Sequence, residues 1–143
     1  MTYIIHEVDG VIFADEIIRF NAMVEEWPKL QARHFESGYW WFAYLDDEPM
    51  AFAGLVPFDP IPLVGYLKRC CYVAPDHRGH GLQFRFFIEL ERKAKELGWT
   101  MLLGDCGEKN SFSASNFIKA GYQRVDPEQP WARPNDQYFA KMI

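Results

Sequence analysis

The chain has no long apolar run, no excess of basic residues and few cysteines. No apolar stretch is long enough to cross a bilayer, and the first residues lack the basic start, apolar run and cleavage site of a secretory signal. We therefore expect a cytoplasmic protein without a membrane partner. The 15 Lys and Arg stand against 20 Asp and Glu, a formal net charge of -5. This balance disfavours a nucleic-acid partner, because phosphate contacts require clustered cations.

The three cysteines, Cys70, Cys71 and Cys106, have no spacing suited to a zinc site, so we expect no metal centre. Neighbouring residues of a strand point to opposite faces, which argues against a disulfide between Cys70 and Cys71. The sequence predicts buried thiols in a reducing compartment.

Apolar and aromatic side chains are abundant. The hydrophobic fraction is 49% and the aromatic fraction 17%, which excludes disorder, and 143 residues are the length of one ordinary domain. We predict a single domain over residues 1–143, with its aromatic side chains in a core or a pocket.

The apolar pattern predicts one continuous series of strands and helices. Strands are expected at residues 3–8, 39–45, 50–57, 64–73, 99–103, 122–125 and 138–142. Helices are expected at residues 11–24, from 27 or 29 to 35, 82–97 and 110–120, with Gly98 and Gly121 as caps. This order predicts an α/β fold with one mixed sheet covered on both faces, in which segment 64–103 requires a right-handed parallel crossover. Ligand sites in such sheets lie beyond the C-terminal strand ends, near Val73 and Asp105.

The segment from Val73 to Gln83 is the most informative part of the chain. It leaves an apolar strand, passes through Pro75 and the pair Gly79 and Gly81, and enters a long amphipathic helix. The glycines allow a tight turn and a close approach of an anion to the backbone, and the helix start supplies unpaired N–H groups. The pattern predicts a pyrophosphate cradle, although a structural turn without a ligand also explains such a glycine pair.

The residues of this segment resemble those of the GNAT superfamily of acyl-coenzyme A dependent N-acyltransferases. The motif is Arg78-Gly79-His80-Gly81-Leu82-Gln83, in which Gln83 replaces a small final residue. A second element similar to the family comprises Asn110, Ser113, Phe117 and Gly121-Tyr122, and the similarity covers residues 39–125. The resemblance implies a mostly antiparallel sheet of six to seven strands with a central, splayed parallel pair and about four helices on both faces.

The resemblance also implies where acetyl-CoA binds. Backbone amides of Arg78, Gly79, His80, Gly81, Leu82 and Gln83 are expected to hold the pyrophosphate, and Cys71, Tyr72 and Val73 to pair their backbone with the pantetheine arm. Asn110, Ser113 and Phe117 are expected at the cofactor as well. The side chains of Arg78 and His80 either contact phosphate or are solvated, and the side chain of Gln83 must point away from the cradle.

Asp105 is the candidate base for removing a proton from the acceptor amine. In the bacterial ribosomal-protein alanine acetyltransferases, which this segment is similar to, a Glu base stands at the matching place. The alternative is that Asp105 caps a loop or the helix at Asn110. Glu108, Tyr66 and Cys106 are weaker candidates.

Phe117 departs from the family, because many members have a Tyr there that is proposed to protonate the departing thiolate. A phenyl ring cannot donate a proton. Either Ser113, Ser115 or Tyr122 substitutes, or the thiolate leaves unaided, which a thiol pKa of about 8.5 allows.

The resemblance implies an N-acetyltransferase that acts by direct attack of a primary amine in a ternary complex, without a covalent intermediate. The expected acceptor is a small molecule, a peptide or a protein. A second copy of the chain, in a homodimer, is a further candidate partner. One face of Trp40 or Trp41 could receive a cation, or both belong to the core; Asp46, Asp47 and Glu48 either attract an ammonium group or form a solvated turn. The alternative function is a coenzyme A binding module that has lost turnover.

Overall fold

The computed structural model describes residues 2–143, except for the side chains of Cys70 and Cys71, so the predicted burial of these two thiols lies outside the described part. Seven strands form one sheet in the order β1-β2-β3-β4-β5-β7-β6, in which only β4 and β5 are parallel. The predicted mixed, mostly antiparallel fold with four helices is confirmed. The elements are β1 Ile4–Val8, α1 Ala14–Ala22, α2 Ala32–Ser37, β2 Tyr39–Leu45, β3 Glu48–Pro57, β4 Val64–Val73, α3 Leu82–Glu96, β5 Met101–Cys106, α4 Ser111–Lys119, β6 Gln123–Val125 and β7 Gln137–Met142.

Three predicted boundaries were wrong, each for a local reason. Helix α1 begins at Ala14 instead of residue 11, because the Asp9 carboxylate accepts the N–H groups of Val11 and Ile12 and holds them in a turn. Helix α2 is shorter and later than predicted, at Ala32–Ser37, and its first turn is closed by Gln31 and His34 in a capping box. Strand β5 extends to Cys106 because β7 pairs with it along its whole length.

Strands β4 and β5 part after a short paired segment. Val64–Tyr66 pair with Met101–Leu103, and in the described part of the chain no pairing between these two strands follows. On its other side, β4 shifts register against β3 twice, between Phe52 and Gly54 and between Gly54 and Val56. Such irregularities bend a strand and increase its twist. The C-terminal half of β4 therefore turns away from β5 and opens a gap between them.

Two cores lie on opposite faces of the sheet. Helices α3 and α4 cover one core, and α1 and α2 cover the other, which is rich in aromatic rings. The exposed fractions of Trp40 and Trp41 are 0% and 1%, so neither ring has a face for a cation and both belong to the core. Asp46 and Asp47 form the exposed β2–β3 turn with positive φ angles. Among residues 2–143, no helix is both long and apolar enough to span a membrane.

Gly104 of β5 is required by the ring of Phe117. A Cβ at position 104 would lie 2.5 Å from Cε1 of Phe117, whose ring is stacked on Phe139 at 4.5 Å and cannot retreat freely. We expect Gly104→Ala to lower the free energy of unfolding by about 1–3 kcal/mol, measured by urea denaturation. Gly107→Ala is the matched control, because its nearest contact is the flexible Arg133 side chain at 3.6 Å. Equal stability of the two variants would contradict this assignment.

Candidate functional site

The turn before α3 is held open by two glycines in the left-handed region. Gly79 has φ +84° and Gly81 has φ +71°, and Gly81 is the N-cap of α3 without a side-chain capping bond. A Cβ at either position would have no atom within 4 Å, so the space in front of both is empty of protein. Glycine is needed here for its backbone angle, and the turn presents bare backbone to that space.

The backbone N–H groups of residues 79–84 have no hydrogen-bond acceptor within the described chain. Arg78, which precedes this range at the edge of the turn, does donate its backbone N–H, to the Pro75 carbonyl at 3.4 Å. The open N–H groups and the dipole of the 15-residue helix α3 converge on the same space. Open N–H groups at the start of a helix suit an anion, and no side chain at either glycine would block its approach.

Gln83 points away from the anion cradle, as the sequence analysis required. Its buried side chain donates Nε2–H to Ser113 Oγ at 2.8 Å and accepts from Asn116 Nδ2 at 2.8 Å. Ser113 in turn donates its backbone N–H to Asn110 Oδ1 at 3.0 Å, so Asn110 is the N-cap of α4. These bonds tie α3 to α4, and the cofactor contacts predicted for Asn110 and Ser113 stay predictions.

Phe117 lies in the core instead of beside the cradle. Its exposed fraction is 0%, and its ring packs on Phe87 at 4.8 Å, on Phe139 at 4.5 Å and on Tyr122 at 5.1 Å. The fully enclosed ring offers a ligand no surface in this structure, and the cofactor contact expected for Phe117 stays a prediction. Ser115 is exposed on α4, whereas Ser113 and Tyr122 are buried.

The rim of the cradle includes a residue that the sequence analysis missed. Tyr3 hydrogen-bonds His77 Nδ1 at 2.9 Å, and its ring lies 5.1 Å from that of His80. Arg85 of α3 donates to the Tyr3 carbonyl at 3.1 Å. Nothing in the local pattern of residues 1–8 signals this role, which depends on the start of β1 reaching the turn before α3.

The end of β4 is partly covered. Arg78 Nε donates to the Val73 carbonyl at 3.2 Å, so this exposed side chain turns back over the strand and occupies an oxygen expected to pair with pantetheine. Tyr72 is buried, and its hydroxyl donates to Met23 Sδ at 3.2 Å. The side chain of Cys71 lies outside the described part of the chain. The pantetheine contacts of all three residues stay predictions.

Asp105 lies on the half of β5 that no longer pairs with β4, inside the gap between these two strands. Tyr66 of β4 donates its hydroxyl to Asp105 Oδ1, and the carboxyl of Asp136 is a second hydrogen-bond partner. Burial raises the pKa of Asp105 to about 6; the Tyr66 bond and Arg133 oppose the shift and the nearby Asp136 adds to it. The N-cap of α4 is Asn110, so Asp105 does not cap this helix, and the alternative of a loop cap stays open.

The remaining base candidates are placed less favourably. Cys106 faces the α3–α4 core, where burial, followed by the charges of Asp105 and Asp136, raises the pKa of its thiol to about 11. The thiol is therefore protonated at neutral pH and is a poor nucleophile. Glu108 is exposed in the β5–α4 turn. Tyr66 serves Asp105 as a hydrogen-bond donor.

The segment before β7 completes the surroundings of Asp105. Arg133 pairs with Asp136 at 3.1 Å, and the Asp136 side chain is only 6% exposed. Trp131 packs edge-on against Tyr138 at 4.8 Å and against Phe58 at 6.0 Å. The sequence predicts residues 126–136 as a Pro-rich loop that walls one side of the acceptor cleft, without indicating which of its residues contact Asp105. Its proximity to Asp105 follows from the β5–β7 register, in which Cys106 pairs with Gln137.

The sequence signature of the acetyltransferase (GNAT) family matches residues 11–122. The chain belongs to this family. Acetyl-CoA is the acyl donor of the family, whose members act on amine-bearing substrates. The cradle fits the diphosphate of this cofactor, because its amides are open and no protein atom stands in front of its glycines. No protein of curated function matches the chain by sequence.

Solved structures of acetyltransferases share the fold along the whole chain. An acetyltransferase from Bacillus subtilis in complex with CoA has a TM-score of 0.79 and 15% identity, covering 99% of each chain. A GNAT-family acetyltransferase from Elizabethkingia anophelis with acetyl-CoA bound has 0.73 and 17%, covering 99% of this chain and 98% of its own. The ribosomal-protein-S18-alanine N-acetyltransferase from Escherichia coli has 0.77 and 13%, covering 99% and 94%. At these identities the likeness shows the fold alone.

The raised pKa of Asp105 makes stability depend on pH. Between its ordinary pKa of 3.8 and about 6, the folded protein holds a proton that the unfolded chain releases. The contribution of Asp105 to the free energy of unfolding should therefore fall as pH rises through this window, by up to about 3 kcal/mol, while His34, whose pKa burial lowers to about 4, contributes with the opposite sign. Asp105→Asn should remove that part of the slope in urea denaturation at pH 4 to 7, whereas Asp126→Asn, at an exposed site, should keep it. Parallel profiles for wild type and Asp105→Asn would show that the carboxyl is not buried as described.

Proposed function

We propose that the protein transfers an acetyl group from acetyl-CoA to a primary amine, with Asp105 as the general base. The observation that supports this most is the position of two features on diverging strands. The open amides follow β4, and the Asp105 carboxyl, with a pKa of about 6, lies on the half of β5 that no longer pairs with β4. An acyl donor held at the first and an amine at the second would meet in the gap.

The chemistry of Asp105 suits the task. An amine must lose a proton to attack a thioester, and a base works best when its pKa lies near the working pH. At pH 7 a carboxyl with a pKa of about 6 is mostly ionised, yet it is a stronger base than one with a pKa of 3.8. Tyr66 orients the carboxylate through its hydroxyl. Bound acetyl-CoA supplies the acyl carbon and a thiolate leaving group.

Direct attack without a covalent enzyme intermediate is part of the proposal. The thiol of Cys106 is protonated and faces the core, so it is not required as a nucleophile. Phe117 cannot protonate the departing thiolate, and its burial keeps its ring away from the gap. A thiol with a pKa of about 8.5 leaves unaided near neutral pH at a reduced rate.

The base assignment is tested by a thiol-release assay with acetyl-CoA and a panel of amines. Asp105→Asn should lower kcat/KM by about 100-fold to 10,000-fold, as loss of a general base does. Wild-type kcat/KM should fall below pH 6, where Asp105 becomes protonated. Full activity of Asp105→Asn at every pH would exclude the residue as the base. Coenzyme A binding without transfer to any amine would favour the alternative, a binding module.

Substitutions of two neighbours of Asp105 should shift the acid limb of the pH profile, which is the fall of kcat/KM at low pH, in opposite directions. Asp136→Asn removes a like charge that raises the pKa of Asp105, so the limb should shift to lower pH. Tyr66→Phe removes a hydrogen bond that lowers this pKa, so the limb should shift to higher pH. The same amine is used throughout, so that its own titration cancels. Shifts in the same direction would mean that the limb does not report Asp105.

The cradle is tested by Gly81→Ala with Gly98→Ala as its control. Gly98 at the C-terminal end of α3 has φ +79° and, like Gly81, no atom within 4 Å of an added Cβ. Both variants should therefore lose a similar amount of stability, about 1 kcal/mol, from the left-handed backbone. Only Gly81→Ala should weaken coenzyme A binding in calorimetry, by tenfold or more. Equal affinities would place the cofactor elsewhere.

A further inference from the structure

A cluster of cations lies on the same face of the sheet as Asp105. Lys68 Nζ is 6.0 Å from the centroid of the Tyr66 ring, whose hydroxyl holds Asp105. Arg69 also lies on this side, where its Nε donates to Asn21 Oδ1 of α1 at 2.6 Å. One of the β4 register shifts falls between Tyr66 and Arg69, and it allows two successive side chains to reach one face. The ammonium of Lys68 and the carboxylate of Asp105 are thus one tyrosine apart.

Lys68 is surrounded by like charge. In the described part of the chain, no carboxylate lies within ion-pair distance of its ammonium, and the nearby charges are those of Arg69, Arg33 and, with opposite sign, Asp105. Burial, followed by Arg69 and Arg33, lowers the pKa of Lys68. His34 adds no charge at neutral pH, since burial and the same three cations lower its pKa to about 4.

Such a cluster is unfavourable unless an anion neutralises it. Removing an ammonium group from water costs free energy, and the neighbouring guanidinium groups add repulsion. The whole chain has a net charge of -5, so this local excess of positive charge runs against the overall balance. Arg33 is exposed on α2, where its Nε donates to Gln31 at 2.9 Å, and its remaining donors can serve a ligand.

We propose that the acceptor is a small primary amine that also carries an anionic group, either a carboxylate or a phosphonate. This inference rests on the proposed function. The amine lies at Asp105, while the anionic group is bound by Lys68 with Arg33 beside it. An acceptor that reaches both groups must span the side chain of Tyr66, and its length is measured by the chain-length series below. A neutral or purely cationic amine would leave Lys68 with the Tyr66 ring but without an anionic partner.

The test compares amines that differ only in the distal group. The probes are β-alanine, 2-aminoethylphosphonate and n-propylamine, extended by the amino carboxylates from glycine to 6-aminohexanoate. Wild type should acetylate the preferred anionic amine with a kcat/KM at least about tenfold above that of n-propylamine, the factor that about 1.4 kcal/mol of binding gives. The carboxylate and phosphonate arms identify which anion is bound. Equal kcat/KM values for anionic and neutral amines would overturn the inference and leave the proposed function standing.

Lys68 variants assign the preference to this residue. Lys68→Gln should raise KM for the anionic amine about tenfold or more and bring its kcat/KM close to that for n-propylamine. Lys68→Arg should restore the preference. Lys95→Gln on the exposed face of α3 is the control for loss of one positive charge and should behave as wild type. An unchanged preference in Lys68→Gln would overturn the inference.

The affinity for coenzyme A distinguishes failure of this inference from failure of the proposed function. Calorimetry should give Lys68→Gln the wild-type affinity for coenzyme A. A loss of that affinity in Lys68→Gln would assign Lys68 to the cofactor and overturn the inference. Absence of coenzyme A binding by the wild type would overturn the proposed function and this inference together.

Discussion

The parting of β4 and β5 after Tyr66 and Leu103 is the constraint on which the site depends. Strands that remain paired bury their backbone groups in each other and leave no space for a ligand. Here the register shifts against β3 bend β4 away, while β5 stays paired with β7 through Cys106. The gap is therefore maintained from both sides by antiparallel neighbours, and no separate loop is needed to hold it open.

The gap between β4 and β5 also determines the charges and the pKa of the side chains beside it. Asp105 would be an ordinary strand residue if β4 continued beside it, but the parted strands let Tyr66, Asp136 and Arg133 reach the carboxyl. Burial and a second carboxyl raise its pKa, and one phenol hydrogen bond limits the rise. The same bend presents Lys68 near this carboxyl without an ion pair of its own. The raised pKa of Asp105 and the position of Lys68 without an ion pair thus both follow from the irregular course of β4.

Local patterns predicted the elements well where a strong local rule operates. Residues 64–73 were predicted as a strand that Pro75 ends, and the strand has those bounds. Gly98 and Gly121 follow helix ends at positive φ, as a helix-ending glycine should. The cradle was predicted because its glycines and the following helix are contiguous in sequence. Asp105 was found through the resemblance, but its partners Asp136 and Arg133 were not. They are brought to it by the register of β7, and the sequence carries no local signal for a register between distant strands.

The two departures from the family motifs belong to one packing arrangement. Gln83, at a position where the family has a small residue, uses both ends of its amide to hold Ser113 and Asn116 of α4. Phe117, on the same helix, fills the space over Gly104 and stacks on Phe139. Helix α4 is therefore fixed to α3 and β5 by a buried amide and a buried ring. A tyrosine hydroxyl at position 117 would have to be accommodated against the β5 backbone, because Cζ of Phe117 is only 2.7 Å from an added Cβ of Gly104. The ring at position 117 is thus part of this packing and carries no proton donor of its own.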